Sequence, residues 1–144
     1  MSTVSPSPDW RALAVGQDLP PLALGITATH IAAGAIATRD FMPVHHDRDY
    51  AQAQGAPDIF MNILSTTAHC SRWLTDWAGP DALVRNLAVR LGVPLMPGAT
   101  LTFAGAIAGL AEDGAEGRVE IEFRAATDMG DHVTGTAALS LPLD

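Results

Sequence analysis

Residues 61 to 78, MNILSTTAHCSRWLTDWA, carry the clearest structural pattern of this chain. The mainly apolar positions of this stretch recur at spacings of three and four, which places them on one face of an α-helix. These positions are Ile63, Thr67, Cys70, Leu74 and Trp77. Gly79 and Pro80 follow directly and end the helix. A helix with one apolar face needs an apolar surface to cover it, so we expect this helix to be buried at the centre of the domain.

The sequence after this helix changes to a period of two, which is typical of strands with one buried face. In residues 118 to 125, Val119, Ile121 and Phe123 alternate with charged side chains. Similar alternation occurs in residues 87 to 91, 100 to 103 and 133 to 139, and glycine-containing turns separate these segments. Four strands are therefore predicted after the helix.

Before the central helix, residues 22 to 38 carry β-branched and small apolar side chains, which predict one long or broken strand. Residues 48 to 54 predict a short helix that ends at Gly55 and Pro57. One strand, a long helix and four strands favour an α+β fold, in which an antiparallel sheet wraps around the helix. We expect a single domain over residues 10 to 144, preceded by a disordered Ser/Pro-rich leader over residues 1 to 9.

The composition excludes several classes of function. With 144 residues, 48% of them hydrophobic, the chain can form one compact domain. All eight basic residues are arginines, and against sixteen acidic residues they give a net charge of −8, which argues against nucleic acid as a partner. Cys70 is the only cysteine, so no internal disulfide can form and a cytoplasmic location is expected. We expect neither a signal peptide nor a membrane-spanning segment.

The run DFMPVHHD, residues 40 to 47, sets a carboxylate and an imidazole five residues apart across a turn that contains proline. Histidine takes up a proton near neutral pH, and an aspartate beside it can orient a water molecule or return a proton. Asp40 and His45 therefore form a candidate acid/base pair. The alternative is structural: a turn in which Asp40 bonds local backbone and His45 is merely half-buried.

The segment Asp40-Phe41-Met42-Pro43-Val44-His45 resembles the D-x-N-P-x-H signature of MaoC-like, (R)-specific enoyl-CoA hydratases. Residues 95 to 101 are similar to the P-G-D-T-L strand entry of that family, and the resemblance runs from residue 22 to the C-terminus. It implies a hot-dog fold and hydration of a trans-2-enoyl-CoA to the (R)-3-hydroxyacyl-CoA, with Asp40 and His45 as catalytic residues. It also implies no cofactor, because coenzyme A is part of the substrate, and no metal.

Within that family, residues 40 to 49, 58 to 64 and 75 to 80 look most like the small MaoC-type subunit of steroid side-chain enoyl-CoA hydratases. This resemblance implies a bulky steroid acyl group and a second MaoC-like subunit in a hetero-oligomer. A homodimer is the other possibility, since a single hot-dog sheet leaves an edge unpaired.

Asn62 stands where the family usually carries a glycine at the start of the central helix. We expect its backbone N–H to bind the thioester oxygen as negative charge develops there, because a helix N-terminus offers free N–H groups and a favourable dipole. Met42 is a second departure, at a position where asparagine is usual. Either departure could reshape the acyl pocket.

Two other functions stay open. A thioesterase would place its carboxylate on the central helix, where only Asp76 is available near the far end. A non-catalytic scaffold subunit would shape the acyl tunnel of a partner.

The remaining polar residues receive structural interpretations. His46 and Asp47 lack further ligands for a metal. His30 and His132 lie on predicted strands at the surface or an edge, Cys70 is a buried apolar residue, and Arg85 and Arg90 are solvated strand charges rather than ligands of the coenzyme A phosphates.

Overall fold

The computed structural model describes residues 5 to 143, and its largest element is a five-stranded antiparallel sheet. The strands and helices follow in the order β1 (Leu22–Gly25), α1 (Ala28–Ala37), α2 (Arg48–Ala53), α3 (Ile63–Ala78), β2 (Leu83–Leu91), β3 (Thr100–Asp113), β4 (Glu116–Thr127) and β5 (Gly130–Pro142). Single 3₁₀ turns occur at Trp10–Ala12 and Pro43–His45. The sheet order is β1-β3-β4-β5-β2, which confirms the predicted α+β class.

Helix α3 lies on the inner face of this sheet, as the sequence predicts. On β4 the side chains of Val119, Ile121 and Phe123 are buried, whereas the charged residues between them are exposed. The Trp73 ring of α3 stacks on Phe103, with ring centroids 5.6 Å apart, and lies 5.9 Å from Phe123. These aromatic contacts fix the helix against the sheet and leave its N-terminus free for the loops that precede it.

The buried face of α3 is rotated in its first turn relative to the predicted stripe. Ile63, which we expected inside, is 49% exposed, while Ser65 and Thr66 are buried. Ser65 packs against Gly34 of α1, where a Cβ atom would collide with its hydroxyl. Thr66 binds a histidine of β5. Small polar side chains are buried here because neighbouring elements approach closely, which the spacing of apolar residues does not reveal.

The prediction of one strand over residues 22 to 38 is wrong in its second half. Only Leu22–Gly25 is a strand, and Ala28–Ala37 is the helix α1. Thr27 caps this helix, since its hydroxyl accepts a hydrogen bond from the N–H of His30 at 3.1 Å. Its many alanines favour a helix, and Ile31 and Ala35, four residues apart, form its buried side. His30 therefore lies on a helix and is exposed.

Residues 1 to 4 of the expected leader lie outside the described residues. Residues 5 to 9 have no regular secondary structure. The Ser7 hydroxyl nevertheless accepts a hydrogen bond from the N–H of Asp81 at 3.0 Å, so part of the expected leader contacts the domain. Within residues 5 to 143, none of the helices has the length and hydropathy needed to cross a membrane.

Candidate active site

The loop between α1 and α2 brings Asp40 and His45 together. Arg39, in a left-handed conformation with φ of +57°, turns the chain out of α1, and the Asp40 N–H donates to the Ala35 carbonyl at 2.9 Å. Pro43 then starts the 3₁₀ turn Pro43–His45, which turns the imidazole back towards the carboxylate. The Nε2 atom of His45 lies 3.3 Å from Oδ2 of Asp40. The two side chains singled out by the sequence are thus in contact.

The surroundings of His45 determine which ring nitrogen carries a proton. Its Nδ1 atom lies 2.6 Å from the Phe60 carbonyl oxygen, which can only accept, so Nδ1 is the donor. In a neutral imidazole Nε2 is then an acceptor that faces Asp40. The His45 side chain is 8% exposed and that of Asp40 is 30% exposed, so solvent and ligands reach the pair from the Asp40 side.

The side chain of Asn62 completes the site, although the sequence assigned a role only to its backbone. Its Oδ1 atom accepts from the Ser65 N–H at 3.1 Å and caps α3. Its Nδ2 atom donates to Asp40 Oδ2 at 3.0 Å and to Thr38 Oγ1 at 2.9 Å. An asparagine directly before a helical stripe is a recognisable capping signal, but nothing local in the sequence shows that the same amide reaches Asp40.

These contacts set the charge of Asp40. The hydrogen bond from Asn62 lowers the pKa of the Asp40 carboxyl below its ordinary value. Partial burial acts in the opposite direction, while the Met42 N–H, 3.4 Å from Oδ1, and the nearby His45 lower the pKa further. Asp40 is therefore ionised near neutral pH. Its bond to the Met42 N–H is also the local backbone contact that the structural alternative predicts.

At the start of α3, the N–H groups of Asn62, Ile63 and Leu64 have no hydrogen-bond acceptor among residues 5 to 143. The N–H groups of Phe60 and Met61, by contrast, bind the carbonyls of Val44 and Leu95. The Asn62 N–H precedes the first turn of α3, where the helix dipole favours negative charge.

Exposed apolar side chains lie close in sequence to Asp40 and to Asn62. They come from the end of α1, from the loop and from the first turn of α3: Ile36 at 61% exposure, Phe41 at 62%, Met42 at 49%, Ile63 at 49% and Leu64 at 53%. We call these five residues the apolar rim. The side chain of Met42, the departure from the family signature, is thus half exposed, and its backbone N–H donates a hydrogen bond to Asp40.

The structure also gives the positions of His132, His46 and Asp47, and it contradicts the surface position predicted for His132. His132 is 2% exposed rather than at the surface, and its ring bonds Val93 and Thr66. Asp47 caps α2 through the Tyr50 N–H at 3.0 Å, and His46 is exposed. Among residues 5 to 143, no three His, Cys, Asp or Glu side chains are grouped as metal ligands would be.

Two further residues outside the pair behave as expected. Cys70 is fully buried, and burial raises the pKa of its thiol to about 12, so it is not a nucleophile. Arg85 makes an ion pair with Glu116, at 2.7 Å to both carboxylate oxygens, which binds it within the sheet.

The chain is similar to a curated protein over most of its length, although no family model matches it. It is 46% identical over 127 residues to the 3-oxo-4,17-pregnadiene-20-carboxyl-CoA hydratase beta subunit of Mycobacterium tuberculosis, an alignment that covers 88% of this chain and 95% of the relative. The chain belongs to the MaoC-like (R)-specific enoyl-CoA hydratase family. The family resemblance of the Asp40-to-His45 segment is therefore confirmed. The similarity to the small subunit of a steroid side-chain hydratase is confirmed as well.

Solved structures of MaoC-like proteins agree with this assignment. A chain of the ChsH1-ChsH2 complex from M. tuberculosis is 46% identical, with a TM-score of 0.83 over 89% of this chain and 98% of that chain. The (R)-hydratase from A. caviae is 25% identical, with a TM-score of 0.81 over 92% and 99% of the two chains. The hot-dog fold of this MaoC-like chain is thereby confirmed.

Proposed function

We propose that this MaoC-like chain adds water to a trans-2-enoyl-CoA and forms the (R)-3-hydroxyacyl-CoA, with Asp40 and His45 as its catalytic residues. One observation carries the proposal: His45 Nε2 lies 3.3 Å from Asp40 Oδ2 while Nδ1 is bound to the Phe60 carbonyl. With Nδ1 protonated, the neutral Nε2 and the ionised Oδ2 are both acceptors. Two neighbouring acceptors are suited to hold one water molecule that donates a proton to each.

The proton transfers follow from this arrangement. His45 Nε2 removes one proton from the water while the oxygen of that water bonds to C3 of the enoyl group. The electrons of the double bond move towards the thioester oxygen. Asp40 accepts the second water proton in a hydrogen bond and stabilises the imidazolium that forms. The imidazolium then returns its proton to C2. The net reaction adds one water molecule across the double bond and regenerates both side chains.

The enolate oxygen needs a donor, and the Asn62 N–H is the proposed one. It has no acceptor among the described residues and lies at the positive end of the α3 dipole. Removal of one such donor typically lowers the rate about 10²- to 10³-fold.

A bulky steroid acyl group is the proposed substrate class. The M. tuberculosis relative is named as a hydratase of a pregnadiene carboxyl-CoA, which is a steroid thioester. The apolar rim supports this choice, since its five side chains, close in sequence to Asp40 and Asn62, expose apolar surface. A polycyclic acyl group could cover that surface.

The proposed assembly contains a second MaoC-like subunit. The relative is named as a beta subunit, and the similar solved chain belongs to a complex of two different proteins. In the part of the chain described here, β2 pairs only with β5, so the outer side of this nine-residue strand is available for a partner.

A scaffold subunit is the second candidate function, and the burial of the site favours it. Asn62 is only 2% exposed and His45 is 6% exposed, so a substrate would have to approach the pair from the side of Asp40, whose side chain is 30% exposed. The thioesterase alternative has less support. Asp76 is ion-paired with Arg72 at 3.4 Å and lies fourteen residues along α3 from Asn62, about 21 Å away at helical rise.

Hydration assays with the chain alone, a MaoC-like partner alone and the co-expressed pair separate these functions. We expect His45→Ala and Asp40→Asn, made in the co-expressed pair, to lower kcat/KM about 10²- to 10⁴-fold. His46→Ala is the matched control, because this adjacent histidine is exposed. Wild-type rates in both pair variants would make this chain a scaffold. Release of free coenzyme A without hydration would identify a thioesterase.

A further inference from the structure

The amide of Asn62 is fully occupied by hydrogen bonds that determine its orientation. The Ser65 N–H can only donate, so the atom facing it must be the amide oxygen. The NH₂ group is therefore on the side of Asp40 and Thr38, where it donates at 3.0 and 2.9 Å. Asn62 is 2% exposed, and the capping bond holds the amide in this orientation.

Thr38 confirms the direction of these bonds. Its hydroxyl donates its single proton back to α1, where the Gly34 and Ala35 carbonyls lie at 2.8 and 3.2 Å. It can therefore only accept from Asn62. The second amide proton remains for Asp40 Oδ2, which is also the oxygen nearest to His45.

We propose that the Asn62 side chain is a positioning residue that holds Asp40 Oδ2 beside His45 and keeps it an acceptor. The amide joins the C-terminal end of α1, through Thr38 and Asp40, to the N-terminal end of α3. A proton placed on Oδ2 would face the NH₂ group of Asn62, so this oxygen can accept from water but cannot hold a proton there. This inference deepens the proposed hydration, on which it rests, and assigns the side chain a role separate from that of the backbone N–H.

Two substitutions at position 62 separate this role from helix capping. Asn62→Ser retains a good N-cap but removes the donor to Asp40. We expect kcat/KM to fall about 10- to 100-fold, as for a lost hydrogen bond to a charged group. The acid limb of the pH profile should also move to higher pH, because a carboxylate without this donor binds a proton more readily.

Asn62→Asp retains the shape and the cap but places a second carboxyl group against Asp40. When one proton is shared between the two carboxyl groups, a donor still faces an acceptor, so activity should be retained at low pH. Above the pKa of the shared proton, activity relative to wild type should fall by up to about tenfold per pH unit. If the Asn62 side chain only capped α3, the activity of Asn62→Asp would not show this loss with rising pH, since aspartate caps as well as asparagine.

Titration of the Asp40 carboxyl carbon by NMR gives a readout that does not require hydration. In the assembled protein we expect its pKa to rise in Asn62→Ser and to be unchanged in Thr27→Ser, which alters the cap of α1 in the same conservative way. A raised pKa without any hydration by the wild type would support the inference and reject the proposed function. Hydration by the wild type together with an unchanged Asp40 titration and a normal pH profile in both position-62 variants would overturn the inference.

Discussion

At the scale of single residues, Asn62 carries more of the site than its position in the sequence indicates. The asparagine expected by the family signature is replaced by Met42, whose side chain is half exposed. The amide that binds Asp40 is that of Asn62, directly before α3.

The backbone donor of Asn62 can be tested apart from its side chain. The φ angle of Asn62 is −78°, which proline can adopt, so Asn62→Pro removes the N–H while keeping the local conformation. Asn62→Ala removes the same side chain but keeps the N–H. We expect kcat of the proline variant to lie about 10²- to 10³-fold below that of the alanine variant, measured at saturating enoyl-CoA. Equal kcat values in two folded variants would reject the oxyanion role.

At the scale of elements, the first turn of α3 is anchored to the sheet by a buried histidine. His132 Nδ1 lies 2.6 Å from the Val93 carbonyl, so Nδ1 is the donor, and Nε2 lies 2.8 Å from Thr66 Oγ1. In the neutral ring Nε2 accepts from the Thr66 hydroxyl. Thr66 follows Asn62 by one helical turn, and its N–H binds the Asn62 carbonyl. This anchor connects β5 to the element that bears the site.

Removal of the Thr66 hydroxyl should destabilise the fold. Thr66→Val keeps the volume but leaves a buried ring nitrogen without a partner, so we expect the free energy of unfolding to fall by about 1–3 kcal/mol. Urea denaturation measures this change. Thr66→Ser keeps the hydroxyl and loses one methyl group, at about 0.8 kcal/mol. A valine variant as stable as wild type would show that the bond to His132 contributes no net stability.

The same histidine should make stability depend on pH. Burial lowers the pKa of His132 in the folded protein, and the bond to Val93 offsets this only in part. The unfolded chain then binds a proton below about pH 6.5 that the folded chain does not. The stabilisation is complete above this pH, and the free energy of unfolding should fall as pH decreases, by up to about 1.4 kcal/mol per unit.

His132→Gln tests this dependence by removing the titrating ring. Denaturation between pH 5 and pH 8 should give a shallower slope for the variant than for wild type. His69, half-buried on α3, has a pKa lowered by burial and contributes a similar slope that the variant retains. His46→Gln, at an exposed position, controls for the loss of an imidazole. An unchanged slope in His132→Gln would contradict the assignment.

For the molecule as a whole, the outer edge of β2, unpaired within residues 5 to 143, and the exposed apolar rim both favour association. We expect the chain expressed alone to form poorly defined or weak oligomers and the co-expressed pair to elute as one stable hetero-oligomer. Size-exclusion chromatography with mass measurement distinguishes these states. A well-defined homodimer that gains nothing in activity from the second chain would contradict the proposed assembly.

Much of this architecture could be predicted because it is encoded in local patterns. The stripe along residues 61 to 78 and the alternation on β4 repeat with the periods of a helix and a strand, so their neighbours in sequence suffice to identify them. The α1 segment differs from its prediction because its β-branched residues favour a strand, whereas its alanines and its Thr27 cap favour a helix. Local propensity alone does not decide between a strand and a helix in this segment, whereas the burial of Ile31 and Ala35 on one helical face does.

The α+β class, the central helix and the proximity of Asp40 and His45, which are five residues apart in a single turn, can all be inferred from local patterns in the sequence. The folded structure is needed to show that the Asn62 amide binds Asp40, twenty-two residues away, and that His132 binds Thr66 across a separation of sixty-six residues. The physical reason is that such contacts depend on how α1, α3 and β5 pack together. Packing is set by the shape of the whole core, and no local period in the sequence records it.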